Sequence, residues 1–94
     1  MTTTRADFVR LLPAAVDHAA FREEGNEFVF RGPTPVSANG HREWRITLDP
    51  MPALRIGAVV LERHRAAFRF SGYAPDEIAD FMARFELYFR RGGG

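Results

Sequence analysis

Near the C-terminus the spacing of apolar residues changes from two to about three and a half within a short stretch of chain. Ala66, Phe68 and Phe70 alternate with Arg65, Ala67 and Arg69, and then Ile78, Phe81, Met82, Phe85 and Phe89 recur at helical intervals. Side chains alternate across a strand and return every third or fourth residue on a helix, so a half-buried strand must run directly into an amphipathic helix. Each has one apolar face, and packing one on the other hides both.

Ninety-four residues make a single domain, 1–94, with room for one core. Nine Phe, two Tyr and one Trp supply enough apolar area that neither a disulfide nor a metal is needed to hold so short a chain. Cys is absent, which excludes thiol nucleophiles and thiolate metal sites. All thirteen basic residues are Arg, a bias that a GC-rich coding sequence produces unaided, and twelve acids leave a net charge of +1. A dedicated nucleic-acid-binding domain is usually far more basic. No run approaches the roughly 20 apolar residues of a membrane helix, and Asp7 breaks up any signal core. The expectation is a cytoplasmic protein with no membrane association.

Thr4-Arg5-Ala6-Asp7 resembles a capping box and is followed by Phe8, Leu11, Leu12, Ala15, Val16 and Ala19 at helical spacing. A first helix is therefore predicted from about residue 4, with Pro13 either kinking it or opening a second short helix. Phe21–Glu23 and Glu27–Arg31 flank Glu24-Gly25-Asn26 and read as a hairpin. Gly32–Gly40, with two prolines and two glycines, reads as a mobile loop. His41–Leu48 alternates as a strand that Asp49-Pro50-Met51-Pro52 should stop. Leu54–Leu61 resumes an extended run with Gly57 as a bulge or a point of close approach, and Glu62-Arg63-His64 turns the chain into a fifth strand, Arg65–Phe70. A final helix runs from Pro75 to about Arg90, supported by Asp80–Arg84 and Glu86–Arg90 pairs, before a disordered tail at 92–94. The fold class is α+β: an antiparallel four- to five-stranded sheet in the order α-β-β-β-β-β-α, with both helices on one face because only one parity of each strand is apolar.

No constellation for catalysis assembles from these residues. His18, His41 and His64 lack partners at metal-ligand spacing, so neither a metal nor another cofactor is implied. Ser37 and Ser71 lie in no nucleophile elbow, and Asp49 and Glu62 stand beside turn residues where acids are ordinary. His64 reads as a solvated turn histidine, and Trp44 shares its parity with Ile46 and Leu48 and belongs to the core. The outward parity is more informative, because Arg22, Arg31, Arg45, Arg65 and Arg69 all fall on it, with Glu27 and Glu43 placed to pair with some of them. Single-stranded nucleic acid is gripped by aromatic side chains on such a platform, and here the aromatics take the buried parity. A protein partner therefore ranks ahead of nucleic acid. Either sheet edge could also pair with a second copy, which leaves the oligomeric state open.

Phe89-Arg90-Arg91-Gly92-Gly93-Gly94 ends like the tails that ubiquitin-like and sulfur-carrier proteins present for activation, although those tails leave a strand and this one leaves a helix. Together with Arg55-Ile56-Gly57, Phe70-x-Gly72-Tyr73 and Phe81-x-x-x-Phe85-x-x-x-Phe89, this ending resembles a group of short, uncharacterised bacterial proteins, a likeness that implies no activity. The order of elements is also similar to frataxin, but the acidic ridge that binds iron there is reduced to Asp7 and Asp17. The leading expectation is a non-enzymatic binding module using the five arginines, the Gly32–Gly40 loop, or both. The alternatives are a carrier activated at its C-terminal Gly-Gly and a small enzyme or ligand site using His41 or His64.

Overall fold

The computed structural model describes residues 3–37 and 40–92. Thr4 caps α1 (Arg5–Ala15), its hydroxyl accepting the Asp7 backbone N–H at 3.1 Å. Pro13 opens no second helix, because it sits in the last turn, where only one ladder bond is lost. The helix ends two residues later in a Schellman arrangement: the His18 N–H donates to the Pro13 carbonyl (2.7 Å) and the Asp17 N–H to Ala14 (3.2 Å). Asp17 and His18 both take left-handed backbone angles, φ 54° and 58°, where glycine is usual.

Four strands follow rather than five, in the spatial order β1-β2-β3-β4, all antiparallel: β1 (Phe21–Glu24), β2 (Glu27–Ser37), β3 (Gly40–Ile56) and β4 (Val59–Ser71). The expected β1–β2 hairpin forms on Gly25-Asn26, with Glu24 opposite Glu27. Three boundaries differ from the sequence reading. The expected loop at 32–40 is strand up to Ser37, while positions 38 and 39 lie outside the described residues. Asp49-Pro50-Met51-Pro52 does not end β3, which runs on to Ile56. Gly57-Ala58 is a hairpin turn with Ile56 opposite Val59, so Leu54–Leu61 is no strand by itself and Glu62-Arg63-His64 lies within β4.

One physical reason covers the first two. Each inner strand outlasts the neighbour on its outer side, and the prolines fall in the overhangs. β1 pairs only with Glu27–Phe30, so Pro33 and Pro35 lie beyond its reach. On β3 the Leu48 N–H donates to Asn26 at 2.8 Å, toward β2. Pro50 is the next residue facing that side, beyond the last β2 partner, and Pro52 lies in the irregular step between Met51 and Leu54. A missing N–H costs nothing where no strand waits to receive it.

The core forms where the apolar strand parity meets the helices. Phe8 of α1 is wholly buried, its ring centroid 5.2 Å from Phe28 and 5.0 Å from Phe89 of α2 (Pro75–Gly92). Phe81 lies 5.7 Å from Trp44 and 5.0 Å from Phe70, and Trp44 is 2% exposed. Such aromatic contacts add to area burial about 0.5–1.5 kcal/mol each. Of the expected surface pairs, Arg84 does not join Asp80. It reaches across to the end of α1, donating to the Ala14 carbonyl at 3.1 Å and pairing with Asp17 at 3.5 Å, where a cation complements the helix dipole. The side chain of Arg90 lies outside the description.

Beyond the helices β3 and β4 continue as a two-stranded arm, which draws the molecule out to 54 × 25 × 19 Å. Gly72, where β4 turns toward α2, has φ +75° and lies so close to β3 that a Cβ would meet the His41 carbonyl oxygen at 3.0 Å. Asp17 and Gly72 therefore respond in opposite directions. Asp17→Gly is expected to stabilise by up to about 1 kcal/mol, since glycine is at ease in left-handed backbone. Gly72→Ala is expected to destabilise by about 2 kcal/mol, combining left-handed strain with the clash. Thermal unfolding of the two variants checks both signs, with a shift of roughly 4–8 °C per kcal/mol at this size.

Candidate binding face

The sheet face opposite the helices is a grid fixed by the strand register. Directly opposed neighbours give one row of Arg22, Val29, Arg45 and Arg69, a second of Arg31, Glu43 and Ser71, and a third of Asp49 and Arg65. All five arginines picked out from the sequence thus share this face, and the register brings Arg22, Arg45 and Arg69 into line. Val29 in that row is only 2% exposed yet stands apart from the core cluster. Arg22 and Arg45 are its cross-strand neighbours on either side, and the stems of such residues cover apolar surface while their charged heads stay in water.

Ion pairing on this face is partial. Arg45 meets Glu27 at 3.5 Å, as anticipated, and Arg22 meets Glu24 at 3.5 Å. Glu43 forms no ion pair among the described residues, nor do Arg31, Arg65 or Arg69. Arg45 and Arg69 are direct cross-strand partners, an arrangement of like charges that destabilises a sheet unless something negative stands between them. Beside them, with Glu43 and Ser71, opens a shallow hollow of about 380 Å³.

The register also adds a residue that the sequence reading left in a turn. Arg63 lies opposite Met51 and continues the Arg65, Arg69 parity along β4. The signal was present as period-two spacing from Val59 through Leu61 and Arg63, obscured by the expected stop at the prolines. Past the irregular step, Leu54 opposes Leu61 and Ile56 opposes Val59 on the same face. The arginine field therefore ends in an apolar patch at the arm, where Ile56 is 60% and Val59 55% exposed.

His64 stands off this grid, and His41, at its edge by strand parity, is tied to the backbone. The His41 ring donates from Nδ1 to the Gly32 carbonyl at 2.6 Å. His64 is not solvated: it is buried on the helix face of β4, donating from Nδ1 to the Thr3 carbonyl at 2.9 Å, with Nε2 at 3.4 Å from Glu62. Glu62 also accepts the Arg5 N–H (3.4 Å), so the two side chains anchor the start of α1 to the arm. His41 and the residue facing His64 are nine positions apart along β3, roughly 30 Å, so the two rings build no common site. Among the described residues no group of three or more His, Cys, Asp or Glu side chains is placed to hold a metal. The tail glycines Gly93 and Gly94 lie outside the described residues.

A further cation sits on the other face. Arg42 shares the parity of Trp44, pairs with Glu77 and lies 5.1 Å over the Tyr73 ring. Glu77 also accepts the Ala74 N–H (3.0 Å), so one carboxylate caps α2 and ties it to β3. The Tyr73 phenol is pushed above its usual 10.0 by burial, partly offset by the Arg42 charge.

Comparison with protein-family models, with curated proteins and with solved structures returned no match. No helix among the described residues is long and apolar enough to cross a membrane.

Because the Tyr73 phenol is held protonated by the fold, its contribution to stability is complete below pH 10 and is lost as pH climbs through the raised value. In a tyrosinate absorbance titration, Tyr73→Phe is expected to remove a component above pH 10. Arg42→Met, which keeps the stem but not the charge, is expected to move that component higher still.

Proposed function

We propose that this chain is a small non-enzymatic binding module that receives an acidic protein partner on its arginine-bearing sheet face. The observation that carries the reading is the Arg45–Arg69 pair, two like charges set directly opposite each other beside a hollow, with Arg69 lacking a carboxylate among the described residues. A carboxylate from a partner seated there relieves the repulsion and gains two guanidinium forks at once. Arg22, Arg31 and Arg65 extend the same field and steer approach from a distance. Protein ranks ahead of nucleic acid because the strand aromatics Phe28, Phe30, Phe68 and Phe70 belong to the core cluster or pack against it, even though Phe70 also borders the hollow.

The test is amide shift mapping of labelled protein against nuclease-treated fractions of the source cell lysate. Shifts are expected at Arg22, Arg45, Arg69 and their strand neighbours, and they should vanish in the double variant Arg45→Glu with Arg69→Glu. Shifts confined to α1 and α2, or unchanged in that variant, would count against the face. Shifts that disappear on nuclease treatment would transfer the reading to nucleic acid.

A further inference from the structure

The tip of the β3–β4 arm differs in chemistry from the rest of the surface. From Ala53 to Leu61 the only charged residue is Arg55. Of the large apolar side chains exposed among the described residues, all but Leu87 lie on this arm: Met51, Ile56, Val59, Val60 and Leu61. The register divides them between both sides of the ribbon, with Ile56 and Val59 on the arginine face and Val60, opposite Arg55, on the reverse. Both sides are open at the tip, since Val59 is 55% and Val60 56% exposed. A concentration of exposed apolar side chains on one projecting hairpin marks an interaction site.

The nearest charges bracket this tip. Arg55 lies beside Ile56 on the reverse face, and half-buried Arg63 lies on the arginine face about 13 Å behind Val59. Arg63 donates only its Nε to the Pro52 carbonyl, at 3.1 Å. The two nearest acids are engaged elsewhere: Glu62 accepts the Arg5 N–H at 3.4 Å, and Asp49 stands directly across from Arg65. The tip is therefore apolar with cations behind it on both faces.

Three kinds of occupant can be compared. A second copy laid face to face on the arm covers one side of the ribbon and about three cross-strand rows, far less than the roughly 1,200 Å² that a stable dimer buries. A flat protein surface likewise leaves the second side in water. The interface of an anionic bilayer closes around both sides at once, and its phosphates meet the guanidinium groups on each. Insertion stops at the interface, because a two-stranded ribbon is not a closed barrel and cannot cross hydrocarbon. The expectation of no membrane association rests on the lack of a roughly 20-residue apolar run, which a hairpin that only dips into the interface does not need.

We infer that the tip of the β3–β4 arm docks the protein on anionic lipid bilayers. Ile56, Val59 and Val60 enter the boundary between headgroups and acyl chains, where such apolar side chains reach a depth of about 5–10 Å. Arg55 rises along its own stem to the phosphates, and Arg63 reaches them from above. The inference goes beyond the acidic protein partner proposed for the Arg45–Arg69 pair, since Arg69 lies about 33 Å back along β4 from Val59 and stays clear of the bilayer.

The probe is cosedimentation of the whole chain with vesicles of about 30% phosphatidylserine in phosphatidylcholine, beside vesicles of phosphatidylcholine alone. Binding is expected to be roughly tenfold or more tighter on the anionic vesicles, since each guanidinium near such a surface contributes about a fivefold gain, and to weaken as salt rises. The triple variant Ile56→Thr, Val59→Thr and Val60→Thr keeps the β-branched shape that suits a strand and is expected to lose tenfold or more. Because the chain holds no Cys, Val59→Cys gives a unique attachment point for an environment-sensitive fluorophore. Its emission should shift to the blue on anionic vesicles, while the same label on Asp76→Cys, at the start of α2, should not respond.

No binding to the anionic vesicles overturns the inference. So does binding without preference for phosphatidylserine, binding that the threonine variant retains, or a shift at position 76 in place of 59. A dimer in sedimentation velocity that the threonine variant dissolves, without vesicle binding, gives the tip to a second copy and overturns it as well.

Discussion

The sheet is greasy on one side only, and the rest of the molecule follows from where that side is hidden. Phe28, Trp44, Ile46 and Leu48 project toward α1 and α2, and Phe8 stands where the two helices and the sheet meet, in ring contact with Phe28, Phe85 and Phe89. Because both helices are spent on that one face, neither is left to cover the other. The opposite parity must then live in water or against a partner, and it carries arginines on either side of the buried Val29. Polar ties hold the layers in register: Glu77 joins the start of α2 to Arg42 of β3, while Glu62 and His64 join the start of α1 to β4.

Strand lengths impose the second constraint. From β1 to β3 each strand outruns its outer neighbour, so the sheet tapers into a two-stranded arm. Period-two and period-three-to-four patterns made both helices, the hairpin on Gly25-Asn26 and the parity of Trp44 legible from the sequence alone. The prolines misled because their effect depends on a neighbour that only the register reveals. Pro50 would end an inner strand and is harmless on an outer edge. His64 misled for the related reason that Arg63 and Arg65 on either side suggested solvent, whereas alternation turns the residue between half-buried Arg63 and exposed Arg65 inward to the Thr3 carbonyl.

The candidate site was legible to the same extent. Parity alone placed Arg22, Arg31, Arg45, Arg65 and Arg69 on one face, because alternation survives errors in strand ends. Which of them stand side by side was not legible, since a cross-strand pair such as Arg45 and Arg69 depends on how β3 and β4 are aligned. Arg63 was missed with the strand that carries it. The consequence is considerable: a scattered set of surface charges becomes an ordered field that ends in exposed apolar side chains.

Amide hydrogen exchange along β4 in the dilute, unliganded protein examines this arrangement most directly. Arg63, Arg65, Ala67 and Arg69, whose N–H groups are directed to β3, should exchange slowly, and Ala66 and Phe68 between them should exchange quickly. Such alternation would establish a strand bonded on one side and open on the other. Uniform protection across both sets would contradict it, because it would mean that the edge is already occupied.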